Sequence, residues 1–457
     1  MNISKEVIQK FNIPGPRYTS YPTAPVWDTN VQASTYIEKL RNFGNSEKTL
    51  SLYLHIPFCQ TLCSFCACNV IIRKREEKYA QEYLDHLFKE IDLTAFAIRR
   101  RAKIKQLHWG GGTPNFLTIK QMQALYDKIL QHFDIDQSGE IAIEIDPRTV
   151  EIPQLEYLKK LGFNRISMGV QDFDPEVQKS INRIQPFAKV REINAYCRQL
   201  NFDSINFDLI YGLPRQTLNS FKDTIKQVIA LKPDRIALYS FAYVPWLKKH
   251  QQKMDKDHLP DTDLKLDLFL YAREQLLDNG YQAIAMDHFA LEADEMSKAY
   301  NSGRLYRNFM GYTVKPADEY LGLGLTSIGF IENTFVQNTK VLKEYYETLQ
   351  ANQLPVERGK VLLIDDQIRQ WVIRTLMCRF EIDKNEFYEV FKQSFHEYFS
   401  HEIKHIENCV NQELLMNSSD KIIVTDLGKL FIRNICMGFD AYLPRNNENK
   451  NRFSRTV

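Results

Sequence analysis

The densest chemistry in the chain lies between Ser51 and Val70, which read Ser-Leu-Tyr-Leu-His-Ile-Pro-Phe-Cys-Gln-Thr-Leu-Cys-Ser-Phe-Cys-Ala-Cys-Asn-Val. Cys59, Cys63, Cys66 and Cys68 follow a β-type apolar run, Leu52 to Ile56, that stops at Pro57. A loop of this kind can wrap its thiolates around a small, electron-poor centre. A structural zinc site draws its ligands from two separated Cys pairs, and no second pair exists. Cys197, Cys378, Cys409 and Cys436 stand singly on helical patterns, where a lone Cys is ordinarily a small buried hydrophobe. Disulfides belong to oxidising compartments, and nothing else in the chain points to one. An iron–sulfur cluster fits better, with Phe58, Leu62 and Phe65 available to shield it and tune its potential.

These cysteines need a scaffold, and from residue 50 to about 290 short β-type runs alternate with helix-period segments. The strand candidates are Leu52–Ile56, Gln106–Trp109, Ile141–Ile145, Arg165–Met168, Ser204–Ile210 and Arg235–Phe241, with amphipathic Lys78–Ile98, Ile119–Phe133 and Phe221–Leu231 among the helices. Repeated βα units build a parallel sheet. Six units, rather than eight, predict an α/β fold with an open partial (β/α)6 barrel. Such barrels place working residues in the loops after the strands. Those positions hold the Cys loop, Gly110-Gly-Gly-Thr-Pro114, Glu144 with Asp146, Gln171 with Asp172, and Ala242, while Asp208 lies in the fifth strand.

The flanks differ from this rhythm. The first 49 residues form an arm: a short helical pattern, then Asn12 to Ala24, whose prolines forbid a regular helix. A helix at Asp263–Leu277 and a strand around Tyr281–Ala285 extend the barrel region to residue 360. Within it, Leu321-Gly-Leu-Gly-Leu-Thr-Ser-Ile-Gly329 allows close backbone approach to a ligand but lacks the context of a dinucleotide fingerprint. Residues 361–457 read as a small, mainly helical, winged-helix-like domain: helices at Asp366–Cys378, Asn385–Phe399, Ile403–Asn411 and Asp426–Ile435, and a hairpin at Leu414–Val424. No basic, aromatic-studded stripe accompanies the wing, which favours a lid or docking role over nucleic-acid binding. The formal net charge is +2 in 457 residues. No segment reaches the ~20 apolar residues needed to span a bilayer, and the charged N-terminus is unlike a signal peptide. A cytoplasmic protein with reduced thiols is expected.

The C-x3-C-x2-C spacing, read with His55-Ile-Pro-Phe before it and Cys68 after it, resembles the oxygen-independent coproporphyrinogen III oxidases of the radical S-adenosylmethionine superfamily. Further resemblance lies in Gly15-Pro-Arg-Tyr-Thr-Ser-Tyr-Pro-Thr23, the Gly110 to Pro114 motif, Ser167-Met-Gly-Val-Gln-Asp-Phe173, Asn182-Arg183, Asp208-Leu-Ile-Tyr-Gly-Leu-Pro214 and the closing Arg433 to Phe439. It implies that Cys59, Cys63 and Cys66 hold one 4Fe-4S cluster and leave one iron open for S-adenosylmethionine. Tyr53, Gly111, Glu144 and Ile328 match contacts to that S-adenosylmethionine. Phe65, Gly112, Thr113, Gln171, Arg183, Asp208 and Ala242 match contacts to a second molecule beside it. The implied activity is an oxidative decarboxylation in haem biosynthesis, converting two propionates of coproporphyrinogen III to vinyl groups and giving protoporphyrinogen IX. A monomer supplied by an unidentified low-potential electron donor is implied, with Arg17, Arg183 and Arg307 as candidate partners for substrate carboxylates.

Four positions depart from the family pattern: Ala67 replaces a glycine, Tyr243 and Tyr306 replace histidines, and Met310 replaces a glutamine. A related alternative is a haem chaperone that shares the three-Cys loop and glycine motif but generally lacks the fourth Cys and the arm. The resemblance divides the four cysteines unequally, since a fourth permanent thiolate would block the iron that binds S-adenosylmethionine. Cys59→Ser, Cys63→Ser and Cys66→Ser should therefore each lose the cluster, whereas Cys68→Ser retains it. Iron analysis and electron paramagnetic resonance of the reconstituted variants check this division.

Overall fold

The structure is a computed structural model that describes residues 10–443 together with Phe453 and Arg455. The helical pattern expected at the start of the arm lies outside the described residues. A 12-stranded sheet organises the molecule. Its parallel centre runs in sequence order through β1 (Leu50–Ile56), β2 (Ala102–Gly111), β3 (Phe133–Ile145), β4 (Arg165–Gln171), β5 (Ser204–Tyr211) and β6 (Arg235–Ser240). Helices Glu77–Ile98 (α1), Ile119–His132 (α2), Ile152–Lys160 (α3), Phe187–Gln199 (α4) and Leu218–Leu231 (α5) lie among the crossovers. This is the open (β/α)6 arrangement expected from the six apolar runs.

The sheet continues past both edges of that barrel. Antiparallel β7 (Tyr281–Ile284) and β8 (His288–Leu291) extend it beyond β6, with β8 the direct partner of β6. On the other side, β9 (Glu319–Leu323) pairs in parallel with β1, opposite Tyr53 at Gly322. Antiparallel β10 (Ile328–Ile331), β11 (Thr334–Asn338) and β12 (Val356–Val361) follow. The glycine-rich Leu321 to Gly329 stretch is thus a strand, a turn and the next strand.

Alternation of side chains along the strands separates core from lumen. Leu52, Leu54, Leu107, Trp109, Ile141, Ile143, Ile166 and Phe207 are buried in the main apolar core against the helices. The intervening positions carry the polar lumen, where Tyr53 stacks on His108 and His108 reaches Glu144. Buried Glu140 closes the other end, pairing with Arg165 at 3.2 Å and accepting from the Thr313 hydroxyl. That bond fastens the hairpin formed by Tyr306–Asn308 and Gly311–Thr313 to β3.

A second apolar core gathers the C-terminal helices, and Tyr18 and Tyr21 of the arm are buried in it. The wing is a three-stranded sheet ordered Glu381–Asp383, Lys421–Val424, Leu415–Asn417. The helix expected over Asn385–Phe399 is divided, because Lys392 ends Lys384–Phe391 in the left-handed region at φ 54°. The helix expected over Asp426–Ile435 likewise divides at Phe431.

One carboxylate of α1 fixes the turn that borders the lumen. Buried Glu90 accepts from the Gly324 N–H at 2.8 Å, Asn338 Nδ2 at 2.6 Å and the Tyr345 hydroxyl at 2.5 Å. Burial pushes its pKa up to about 7 despite these donors. An acid raised in the folded state contributes stability that is full below its unfolded pKa and is lost as pH rises through the folded value. The stability advantage of the native protein over Glu90→Gln should therefore shrink between pH 5 and pH 8 by on the order of 2–3 kcal/mol. Urea denaturation of both proteins across that range measures the change.

Candidate active site

The Cys loop leaves β1 at Pro57 and returns against its own root, where the Ile71 N–H bonds to Pro57 O at 2.8 Å. Cys59 Sγ lies 3.3 Å from Thr113 Oγ1. Cys63 is buried and faces two guanidinium groups, Arg183 Nη1 at 3.6 Å and Arg148 Nη2 at 3.7 Å. Burial pushes the Cys59 thiol up to about 11. The neighbouring Cys68 thiol, with Lys248 and Arg183, lowers the Cys66 thiol, while Cys66 and burial hold Cys68 well above an ordinary thiol. The charges of Lys248 and Arg183 favour the thiolate at Cys66, the form in which a metal is bound.

The glycine motif of β2 crosses this root with no room for side chains. A Cβ on Gly112 would sit 2.6 Å from Pro57 O, and one on Gly110 would meet Glu144 Oε1 at 2.8 Å. Gly111 has φ +115°, and a Cβ there would strike the His55 ring at 2.6 Å. These close approaches let the Gly111 N–H donate to Glu144 Oε2 at 3.1 Å and the Gly112 N–H to Ile56 O at 2.8 Å.

Beside the loop is a cavity of about 250 Å³ bordered by Tyr53, Gly111, Glu144, Ile328, Cys68 and Met310. The four residues matched to the first S-adenosylmethionine thus share one cavity. Burial opposes the Glu144 carboxylate, but His108 at 3.1 Å and the Gly111 N–H keep its pKa below the ordinary value. His55 Nε2 lies 3.2 Å from the Asn69 carbonyl and must donate to it, so Nδ1 accepts the Tyr53 hydroxyl at 3.0 Å. Burial lowers the His55 pKa to about 4, keeping the ring neutral at neutral pH. A carboxylate able to accept a ribose diol, an aromatic ring, apolar Ile328 and the adjacent thiol loop form a donor set that fits a 4Fe-4S cluster and S-adenosylmethionine.

A full-length comparison identifies what this arrangement belongs to. The Radical SAM superfamily model matches residues 53–228 and the HemN C-terminal domain model matches residues 364–431. The chain is 42% identical over 462 residues to the oxygen-independent coproporphyrinogen III oxidase of Synechocystis sp., covering 100% of this chain and 98% of the relative. It is 41% identical to the Escherichia coli enzyme of that name, over 99% of this chain and 98% of the relative. This chain belongs to the oxygen-independent coproporphyrinogen III oxidase family. The solved coproporphyrinogen III oxidase (HemN) from Escherichia coli, a radical SAM enzyme, superposes with a TM-score of 0.92 at 38% identity, over 97% of this chain and 100% of that one. The cofactors of this oxidase family are a 4Fe-4S cluster and S-adenosylmethionine.

Of the positions matched to a second S-adenosylmethionine, Phe65 lies in the Cys loop, and Thr113 and Arg183 touch it at Cys59 and Cys63. Gln251, fully buried, donates to Phe65 O at 3.1 Å and Ala242 O at 3.2 Å, joining two of them. Thr113 touches Cys59, and Arg183 pairs with Asp146 at 3.2 Å and donates to Gly169 O at 2.7 Å. Asp208 lies deeper, held by Ser167 Oγ at 3.2 Å and Asn206 Nδ2 at 3.0 Å, its pKa pushed up to about 6 by burial and the Glu144 charge. Gln171 adopts φ +66° at the end of β4, against Gly169.

The departures are accommodated in this oxidase fold. Ala67 is exposed and lies outside the left-handed residues, so its methyl group meets no backbone strain. Met310 borders the cavity, and the Tyr306 hydroxyl accepts from Arg374 at 3.1 Å. The Tyr243 hydroxyl is buried without a hydrogen-bond partner, and its ring, like that of Phe65, packs against the apolar group of Val177, Leu213 and Phe241.

Sequence reasoning missed the segment that clamps the loop from outside. His250 Nε2 lies 2.8 Å from Cys66 O, and Lys248 Nζ donates to Cys68 O at 3.1 Å. Gln251 Oε1 also accepts the Val244 N–H at 2.7 Å. Nothing in an irregular polar stretch signals these long-range contacts. Gln251→Leu would leave buried backbone groups unpaired and should cost about 2–4 kcal/mol, with reduced cluster loading. Chemical denaturation and iron content of the reconstituted variant test this.

Proposed function

We propose that this chain oxidatively decarboxylates two propionate side chains of coproporphyrinogen III to vinyl groups, giving protoporphyrinogen IX in oxygen-independent haem biosynthesis. The observation that carries this reading is the cavity that joins Tyr53, Gly111, Glu144 and Ile328 beside the three-Cys loop, in a chain whose relatives over its full length bear that enzyme's name. Bound there, a 4Fe-4S cluster and S-adenosylmethionine supply hydrogen-atom abstraction. Each propionate loses a hydrogen atom from its β-carbon, then carbon dioxide and one electron, the electron passing to a one-electron acceptor, which leaves the vinyl group.

The protein's part is position and environment. On this reading Cys59, Cys63 and Cys66 hold the cluster, and Cys68 lies beyond the ligand triplet. Glu144 accepts the ribose hydroxyls, with its charge secured by His108 and the Gly111 N–H. Tyr53 is oriented by neutral His55, and Ile328 gives an apolar contact. Phe65, Gly112, Thr113, Gln171, Arg183, Asp208 and Ala242 hold the second S-adenosylmethionine.

The enzyme is proposed to act as a monomer. The eight cysteines are unpaired, which supports work in the reducing cytoplasm, where a low-potential carrier would supply electrons. Among the described residues no helix is long and apolar enough to cross a membrane. Anaerobic reconstitution with iron and sulfide, followed by S-adenosylmethionine, coproporphyrinogen III and dithionite, should yield 5′-deoxyadenosine and two carbon dioxide per porphyrinogen. Stoichiometric haem binding without carbon dioxide release would replace this reading with a chaperone.

A further inference from the structure

Beyond Asp208 the lumen wall continues as a row of rings toward the arm. His288 meets Tyr239 edge-on at 6.0 Å, and Tyr312 meets His288 edge-on at 5.1 Å. Two guanidinium groups lie on the ends of this row, Arg17 over Tyr239 at 5.9 Å and Arg307 over Tyr312 at 5.1 Å. Arg307 also ties the arm to this row, because its Nη1 donates to the backbone oxygens of Arg17 at 2.7 Å and Tyr18 at 3.0 Å. Arg307 stands on the same hairpin whose turn, Phe309 and Met310, borders the cofactor cavity.

These two cations are held by carbonyls rather than acids. Arg17 Nη2 donates to Ser240 O at 3.1 Å, and Arg307 Nε is buried with no hydrogen-bond partner. Among the described residues neither forms an ion pair with a carboxylate. Asp287, the acid whose charge both of them favour, is already engaged by His288 Nδ1 at 2.6 Å. Nearby Lys265 is brought down to about 8 by burial and by the charges of Arg17, Arg455 and Arg433, which agrees with an excess of positive potential. Partly buried cations are ordinarily matched by opposite charge. Arg183 differs from this pair: it is spent on Asp146, Gly169 O and Cys63.

We infer that Arg17 and Arg307 bind propionate carboxylates of the substrate, with the Tyr239, His288 and Tyr312 rings lining its approach to the cofactor cavity. The inference rests on the decarboxylase reading and names the cations that such a substrate needs. A guanidinium fork matches a carboxylate in charge and geometry, and the arm delivers one of the two forks. The substrate would then lie between Arg17 and Arg307 on one side and Tyr53 and Glu144 on the other.

Fluorescence titration of the reconstituted holoenzyme with coproporphyrin III, the oxidised tetracarboxylate, tests this without turnover. Arg17→Gln and Arg307→Gln should each weaken binding at least tenfold, Arg17→Lys should recover part of the loss, and all three should keep the cluster absorption. Native affinity should fall with added salt, and more steeply than that of Arg17→Gln. Unchanged affinity in Arg17→Gln and Arg307→Gln, or a salt-independent native affinity, overturns the carboxylate site. A native protein that neither binds coproporphyrin III nor turns over coproporphyrinogen III overturns the decarboxylase reading instead.

Discussion

The site depends on a backbone crossing without side chains, where Gly110, Gly111 and Gly112 at the end of β2 press against the root of the Cys loop. With a Cβ of Gly112 only 2.6 Å from Pro57 O, any larger residue would displace the loop. That crossing sets the heights of Cys59 beside Thr113 and of Glu144 beneath the Gly111 N–H. Both the thiol loop and the cavity bordered by Glu144 are therefore referenced to the same three residues. The glycines cost conformational entropy, which the surrounding sheet offsets through the buried pairing of β1, β2 and β3.

A second set of contacts closes the molecule around this centre. Arg433 donates to Pro16 O at 2.9 Å, and Arg307 donates to the carbonyls of Arg17 and Tyr18. Tyr18 donates to Asp440 at 3.0 Å, inside the C-terminal core. The arm is thereby shared between the barrel opening and the C-terminal helices. Its prolines and left-handed Tyr18 prevent it from forming a helix and leave its carbonyls free to accept these guanidinium donors. On the opposite side, Lys248, His250 and Gln251 perform the same service for the Cys loop.

Local periodicity carried the six parallel strands and the helices between them. The helix at Ile403–Asn411 has the limits that its pattern predicts. Boundaries failed where a single backbone conformation decided the outcome, as at Lys392 and Phe431, which divide stretches of continuous helical pattern. The placement of β9 beside β1 was equally illegible. Its glycines pointed to close approach, and the close approach is Gly322 against the Ile328 backbone, but the parallel pairing with a strand more than two hundred residues earlier has no local signal.

By itself the sequence determined the thiol set, the βα rhythm and the family, because each resides in residue type and short spacing. It also placed Tyr53, Gly111, Glu144 and Ile328 together by resemblance, and the fold supplies one cavity for all four. Only the tertiary structure decided how charges are shared. Arg183, Arg17 and Arg307 are alike in sequence, yet the first is taken by Asp146 while the other two rest on carbonyls. A side chain's charge is set by its type. The partner that neutralises it is set by which distant strands and loops the fold brings within a few ångströms, and Coulomb and hydrogen-bond energies depend on that distance.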